Sequence, residues 1–183
     1  MNFFFELNQL KYIKRSGWWY CGVKDPESVA EHSFRAAAMA FFLAVEEGAD
    51  AEHATALALF HDVLEARLGD LHKVQARYLE THAADGKVVE DQAKDLGGKA
   101  GKAYGKLARE MLACQTKEAR VAKDADLLEK AFQAKEYLDL GYDVDPHWLR
   151  TVEKRVRTRT AKKALAGLRK TKAHEWWQKV KKV

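Results

Sequence analysis

"ATALALFHDVLEARLGDL", residues 54–71, begins with the pattern of an apolar helix and then places two polar side chains in succession. Its alanines and leucines are typical of a core helix, yet His61 and Asp62 follow directly after the apolar run 57–60. An unpaired charge among apolar side chains is costly, so these two side chains need a compensating partner. The sequence therefore predicts a polar site inside a helical core.

The rest of the sequence is also typical of helices. Alanine, leucine, lysine and glutamate dominate it, and β-branched runs with period two are absent. We expect an all-α fold with helices at residues 2–14, 26–47, 51–67, 72–83, 86–112, 117–140 and 146–157, and basic helical sequence to the end. Asp25-Pro26 and Asp145-Pro146 predict helix starts. The glycine-rich stretch 95–108 predicts a flexible connection or a frayed helix.

The length of 183 residues, of which 47% are hydrophobic, suffices for one core. We therefore predict a single domain over residues 1–183. Residues 151–183 hold 12 of the 32 Lys and Arg and only two of the 27 Asp and Glu. This segment could meet nucleic acid or a membrane surface. Its apolar residues at helical spacing instead predict packing on the body: Ala161, Leu165, Leu168, Trp176 and Val180.

The sequence also bears on the compartment. Two isolated cysteines, Cys21 and Cys114, exclude a disulfide framework and a structural zinc knuckle. The longest charge-free apolar stretch, residues 36–45, has about half of the ~20 residues that a membrane span needs. The N-terminus lacks the features of a secretion signal. We expect a cytoplasmic protein without membrane contact.

Two further predicted helices carry polar residues in apolar surroundings. His32 lies on the second helix, and Asp126 lies on the helix at 117–140 with Lys123 one turn before it. Taken singly, His32 is explained as a hydrogen-bonded core histidine and Asp126 as an ion-pair partner of Lys123 or Arg35. Taken together with His61 and Asp62, they are all satisfied by one divalent cation.

Two imidazoles and two carboxylates form a mixed nitrogen and oxygen shell that suits a divalent transition ion. Its open positions would hold a phosphate oxygen and a water, whose pKa the ion would lower. Glu65 follows His61 by four residues and lies on the same helix face. It would then be the general acid/base that handles the water's proton.

Three ordered motifs carry a family resemblance: "ESVAEHSF" at 27–34, "LFHDVLEARLGDL" at 59–71 and "VAKDADLLE" at 121–129. They resemble the His…His-Asp…Asp signature of the HD-domain metal-dependent phosphohydrolases. The stretch "LKYIKRSGWWYCGVKDPESVAEHSF" at 10–34 is similar to the opening of the HD-domain 5'-deoxynucleotidases and oxetanocin-like HD proteins.

The resemblance implies an all-α HD-domain bundle that hydrolyses deoxynucleoside 5'-monophosphates. It implies one divalent metal ion, with manganese, cobalt or iron expected and magnesium, nickel or zinc as alternatives. The residues that match the family's metal ligands are His32, His61, Asp62 and Asp126. Glu65 matches the catalytic glutamate, and the family also suggests a homodimer.

The resemblance extends to substrate contacts. Asp70 matches an aspartate that faces the sugar, and Trp18 matches a tryptophan beside the substrate phosphate. Arg15 and Lys123 could offset phosphate charge, although Arg15 is also explained as a surface cation. The chain departs from the family at His72, a possible extra ligand or simply a helix N-terminal residue.

A second departure is Glu110, the one obvious carboxylate in the segment before the third motif. Two alternatives stay open at this point. The metal site could act on another nucleotide or phosphoester, or the basic C-terminal segment could bind nucleic acid while the metal is structural.

Overall fold

The computed structural model describes residues 2–79, 81–145 and 147–181, and within them every extended regular element is helical. The prediction of an all-α fold is confirmed. The α-helices of the described residues are α1 (Asn2–Leu7), α2 (Val29–Glu47), α3 (Ala51–Phe60), α4 (Glu65–Leu68), α5 (Lys73–Ala76), α6 (Thr81–Leu96), α7 (Gly98–Ala113), α8 (Lys117–Asp139), α9 (His147–Arg155), α10 (Arg159–Leu168) and α11 (Glu175–Val180). Short 3₁₀ helices cover Asn8–Lys11 and Ser16–Cys21. None of the helices described is both long and apolar enough to cross a membrane.

Helices α2, α3 and α8 pack on one another and form the main core. Alanines such as Ala40, Ala58 and Ala122 are fully buried where these helices meet. Small side chains let helix backbones approach closely, so polar groups on different helices can reach one another. The core therefore positions the ends of side chains that lie far apart in sequence.

Helix α2 begins later than Asp25-Pro26 predicts. Ser28 is its N-cap, and the Ser28 and Glu31 side chains each accept a hydrogen bond from the other's backbone N–H. This capping box satisfies the first free amides, so the helix begins at Val29.

Pro146 lies outside the described residues. The helix predicted at 72–83 is likewise shorter, because α5 covers only Lys73–Ala76.

The prediction of one helix over 51–67 is wrong at the His-Asp pair. Helix α3 ends at Phe60, and the next turns are tightened by bonds between residues three apart, from Glu65 N to Asp62 O at 3.0 Å and from Ala66 N to Val63 O at 3.1 Å. Gly69, with φ of 75°, then ends the short helix α4. The tight segment carries the polar residues of the site.

The glycine-rich stretch 95–108 forms the end of α6, a tight turn and most of α7, which differs from the predicted flexible connection or frayed helix. Gly97 and Gly98 have φ values of 69° and 53° and form the turn between α6 and α7. A Cβ at Gly101 would lie 2.0 Å from the backbone oxygen of Ala93. The glycines therefore permit a sharp turn and close packing of α7 on α6.

The basic C-terminal segment contacts the body through part of its predicted stripe. Ala161, Leu165 and Leu168 of α10 are buried, but Trp176 and Val180 are 70% and 72% exposed. The stripe is broken because α10 ends at Leu168 and α11 begins only at Glu175. The prediction of packing is wrong for the last two positions.

We expect Gly101→Ala to destabilise the fold by about 3 kcal/mol or more, because the new methyl group would overlap the backbone of Ala93. The matched control is Gly86→Ala on α6, where a Cβ meets no atom within 4 Å. That change should leave stability unchanged or raise it by up to ~1 kcal/mol. Urea unfolding followed by circular dichroism measures both. Equal stabilities for the two variants would contradict the close packing of α6 and α7.

Candidate metal centre

The four predicted ligands converge at one point between the core helices. His32 comes from α2, Asp126 from α8, and His61 and Asp62 from the residues after α3. His32 Nε2 lies 3.3 Å from Asp126 Oδ1 and 3.6 Å from Asp62 Oδ2. His61 Nε2 lies 3.0 Å from Asp62 Oδ2 and 3.7 Å from Asp126 Oδ1. We call these four residues the candidate metal centre.

Both imidazole rings are oriented by a bond on their far side. His61 Nδ1 donates to the backbone oxygen of Ala58 at 2.7 Å, and His32 Nδ1 donates to the Glu129 carboxylate. Because Nδ1 of each ring is engaged in these bonds, Nε2 of each ring faces the carboxylates of the centre. This is the arrangement that metal-binding histidines adopt.

The buried donor set fits a divalent cation. His32 Nε2, His61 Nε2 and Asp126 Oδ1 are buried and have no hydrogen-bond partner within the described part of the chain. Lys130 Nζ approaches Asp126 Oδ1 at 2.8 Å, but without the alignment of a hydrogen bond. Ligand atoms of His32, His61 and Asp126 lie within 4.8 Å of one another. Buried polar atoms normally have partners, and a cation would supply one for all three.

The electrostatics of the centre favour a positive ion. Burial alone lowers the pKa of His61, but Asp62 and Asp126 outweigh it and raise that pKa to about 10. Burial raises the pKa of each aspartate, yet the cations around them hold both pKa values below the usual range. The two carboxylates therefore stay ionised and attract a cation between the rings.

Arg15 is buried, at 8% exposure, so it is not a surface cation. Its Nη1 lies 2.9 Å from Asp70 Oδ1, 3.1 Å from Asp62 Oδ2 and 3.9 Å from Glu65 Oε1. Asp70 Oδ2 also accepts bonds from the backbone N and hydroxyl of Ser16, at 2.7 and 2.8 Å. Arg15 thus joins the 3₁₀ helix after it to the metal centre and to the α4 region.

Glu65 lies beside the centre with one carboxylate oxygen, Oε2, buried and without a hydrogen-bond partner among the described residues. Burial, aided by the nearby Asp62 charge, raises the pKa of Glu65 well above its usual value. A carboxyl group with a raised pKa and a free oxygen can take up or give a proton. The structure thus brings Glu65 to the position that the sequence predicted.

Lys123 and Lys130 flank Asp126 on α8. Lys123 Nζ donates to Asp126 Oδ2 at 2.7 Å, so the predicted neighbour in sequence is also a neighbour in space. Asp126 first and Asp62 next raise the pKa of Lys123. Lys130 was not foreseen, although its spacing of four residues from Asp126 on one helix was an available signal.

Trp18 lies apart from the metal centre. Its indole is buried, stacks on Trp148 at 4.5 Å and meets Tyr137 edge-on at 5.1 Å. Its Nε1 donates to Glu27 Oε1 at 3.1 Å. Trp18 is therefore a core residue, and it holds Glu27, whose carboxylate lies close to His32.

Glu129 is a functional residue that the sequence reasoning missed. It lies one turn after Asp126 on α8, is fully buried, and accepts bonds from His32 and from Arg35. Burial raises its pKa, but His32 and Arg35 outweigh this and lower the pKa to about 2. Glu27, His32 and Glu129 also lie close enough to hold an ion. Because Arg35 and the ring already satisfy Glu129, we interpret this second group as support for His32.

The two departures from the family motif have structural roles. His72 is the N-cap of α5, where its Nδ1 accepts a bond from Gln75 N at 3.3 Å. Glu110 pairs with His53 at 2.9 Å and accepts a bond from Thr116. His53 and His61 lie at opposite ends of α3, so the pair formed by Glu110 and His53 is separate from the metal centre. Neither departure therefore belongs to the metal centre.

These features define a helical protein whose core holds a mixed histidine and aspartate site for a divalent metal. The sequence matches the HD domain family over residues 7–167, so the chain belongs to the HD-domain family. The resemblance seen in the three motifs is confirmed.

Relatives and solved structures agree with this assignment. The "5'-deoxynucleotidase HDDC2" of Dictyostelium discoideum is 33% identical over 162 residues, which are 81% of this chain and 80% of that protein. The human protein of the same name is 31% identical over 74% of this chain and 67% of its own length. A conserved hypothetical protein from Pyrococcus furiosus has a TM-score of 0.79 and 29% identity, and covers 93% of this chain and 99% of its own. A predicted metal-dependent phosphohydrolase from Magnetospirillum magnetotacticum has a TM-score of 0.67 and 25% identity over 97% and 93% of the two chains.

We expect Glu129→Gln to weaken metal binding by roughly 10- to 100-fold, because the ring of His32 loses its charged acceptor. The matched control is Glu136→Gln, which removes the other carboxylate that binds Arg35, at 2.8 Å. Titration of Mn²⁺ into metal-free protein, with circular dichroism to check folding, measures both. An unchanged affinity in folded Glu129→Gln would contradict a role of Glu129 in orienting His32.

Proposed function

We propose that this protein is a divalent-metal-dependent 5'-deoxynucleotidase, which hydrolyses deoxynucleoside 5'-monophosphates to a deoxynucleoside and phosphate. The single observation that carries the proposal is the convergence of four side chains, His32, His61, Asp62 and Asp126, in which His32 Nε2, His61 Nε2 and Asp126 Oδ1 have no hydrogen-bond partner among the described residues. The relatives named 5'-deoxynucleotidase support the substrate class.

His32, His61, Asp62 and Asp126 would hold one divalent ion, for which manganese, cobalt and iron suit the mixed nitrogen and oxygen donors. Magnesium, nickel and zinc remain alternatives within the proposal. When bound, the ion supplies Lewis-acid activation of phosphate and water.

Glu65 would act as the general acid/base. Its unpartnered Oε2 is available to a water molecule, and burial raises the pKa of Glu65 well above its usual value, which favours uptake of a proton from that water. Water adds to phosphorus as the bond to the leaving 5'-oxygen breaks, and the proton from the water passes by way of Glu65 to that oxygen. The residues around Glu65 exclude bulk solvent and strengthen these interactions.

The remaining residues of the proposal would bind substrate. Arg15 presents a buried guanidinium next to the centre, and its planar fork suits phosphate. Lys123 adds a second positive charge beside Asp126. Asp70, held by Ser16 and Arg15, would face the sugar. Trp18 would act on substrate binding only indirectly, because its indole N–H donates to Glu27 in the core.

A homodimer is part of the proposal. One face of α2 exposes large apolar side chains, with Phe34 72%, Phe42 69% and Val45 56% exposed. A stripe of this kind on a core helix fits an interface with a second copy of the chain. Light scattering during size exclusion tests it, since a monomer at micromolar concentration would contradict the proposal.

We expect Glu65→Gln to lower the turnover of deoxynucleoside monophosphates by roughly 10²- to 10⁴-fold while metal stoichiometry stays unchanged. The amide keeps the shape of the side chain but cannot carry the proton. The matched control is Glu52→Gln on the exposed start of α3, which should keep full activity. Phosphate release with Mn²⁺ or Co²⁺ and metal analysis measure these effects. Full turnover in metal-loaded Glu65→Gln would contradict the assigned role.

We expect Asp70→Ala to reduce the preference for deoxyribo- over ribonucleotides by about tenfold, because the carboxylate would no longer oppose a 2'-hydroxyl. Ser16→Ala is the control, since it removes the hydroxyl contacts to Oδ2 and to the backbone oxygen of Asp70 but keeps the carboxylate and its bond from the backbone N of Ser16. A panel of 5'-monophosphates, cyclic nucleotides and triphosphates gives the ratios. Equal rates on both sugars in the unmodified protein would remove the argument for Asp70, and faster turnover of another phosphoester would favour the alternative substrate class.

A further inference from the structure

A basic cavity of about 490 Å³ opens where α8 meets the end of α7 and the turn between α9 and α10. Its cations come from separate parts of the chain: Arg120, Lys123, Lys154, Arg155, Arg157 and Lys162. Lys123 is the one residue that the cavity shares with the substrate contacts proposed above. None of the four residues of the candidate metal centre lines the cavity.

One carboxylate, Asp124, also lines the cavity, but its charge is already used. Asp124 is 1% exposed and accepts bonds from the backbone N–H groups of Arg157, at 3.0 Å, and Thr158, at 2.7 Å. These bonds fix the turn before α10 onto α8. Asp124 therefore builds the wall of the cavity.

Only one of the six cavity cations has an acidic partner in the described ranges of the chain. Lys123 forms an ion pair with Asp126, and none of the other five has a carboxylate oxygen of those ranges within 4.0 Å. Lys123 is half-buried and the other five are exposed, and all six line one cavity, so an anion bound there would be attracted by several positive charges at once.

The charge and the shape of the cavity decide which anion fits. A single phosphate would leave most of the five unpaired positive charges unmatched, whereas a di- or triphosphate group carries several charges along a short chain. Arginine forks bind two phosphate oxygens at once, and lysines act as point charges between them. The volume of about 490 Å³ accommodates such a group.

We propose that the basic cavity is a second ligand site, which binds a di- or triphosphate group, either free or at the end of a nucleotide. Lys123 Nζ lies 2.7 Å from Asp126 Oδ2, so the occupant and the metal centre share this ammonium. Binding at the cavity is expected whether or not the protein is a 5'-deoxynucleotidase.

Calorimetric titration of the whole chain with tripolyphosphate tests the proposal. The titration is done with Mn²⁺-loaded protein and again after chelator treatment, because binding at the cavity needs no metal ion. A parallel titration with ATP distinguishes a nucleotide from a free polyphosphate: tighter binding of ATP identifies a nucleotide ligand, and equal or tighter binding of tripolyphosphate identifies the free polyphosphate.

Arg120→Ala combined with Lys162→Ala should weaken the binding of tripolyphosphate about tenfold or more in both metal states. The matched control combines Lys102→Ala with Lys163→Ala, which removes two exposed charges outside the cavity and should change affinity less than about twofold. Circular dichroism checks that both variants fold.

An affinity that is unchanged in Arg120→Ala/Lys162→Ala would overturn the proposal, and so would binding seen only with Mn²⁺ present. A single-stranded oligonucleotide serves as the third probe. Tighter binding of the oligonucleotide, weakened equally by the cavity and control variants, would show an extended nucleic-acid surface and also overturn it.

Discussion

The structure depends on one electrostatic constraint, which is the burial of two imidazoles and two carboxylates at the junction of α2, α3 and α8. Charges removed from water are tolerated only when opposite charges and hydrogen bonds surround them. Here Arg15, Lys123 and Lys130 lie against the aspartates, while Glu129 and a backbone oxygen hold the rings. Even so, three buried ligand atoms keep no hydrogen-bond partner in the described residues, which is the feature that a bound cation explains.

The fold is arranged to hold that constraint in place. Buried alanines bring α2 and α8 close enough for His32 and Asp126 to meet at 3.3 Å. The tight turns after Phe60 then place His61 and Asp62, two consecutive residues, at the same centre. The two side chains turn toward each other, so that His61 Nε2 and Asp62 Oδ2 lie 3.0 Å apart.

Much of this could be predicted from the sequence, because helical periodicity and the polar residues within it are local signals. The fold class followed from the composition and from the absence of β-branched runs with period two. The four residues that meet at the centre stood out as polar residues on apolar helices, within motifs that resemble the HD-domain signature: His32, His61, Asp62 and Asp126. The end of α3 at Phe60 could not be predicted, because tertiary contacts override the helix propensity of residues 61–64. The role of Glu129 was hidden for the same reason. A glutamate on a helix is usually a surface residue, and only the packing of α8 against α2 shows that it meets His32.

Arg15 shows how the same charges can serve both stability and the proposed reaction. Its guanidinium neutralises Asp62 and Asp70 in the structure. A divalent ion held by Asp62 would take over much of that neutralisation, so the positive charge of Arg15 would become available to phosphate. Burial strengthens this exchange, because an interaction between charges is stronger in a low-dielectric site than in water. In the proposed function, the ion and the substrate phosphate would therefore favour each other's binding through one buried arginine.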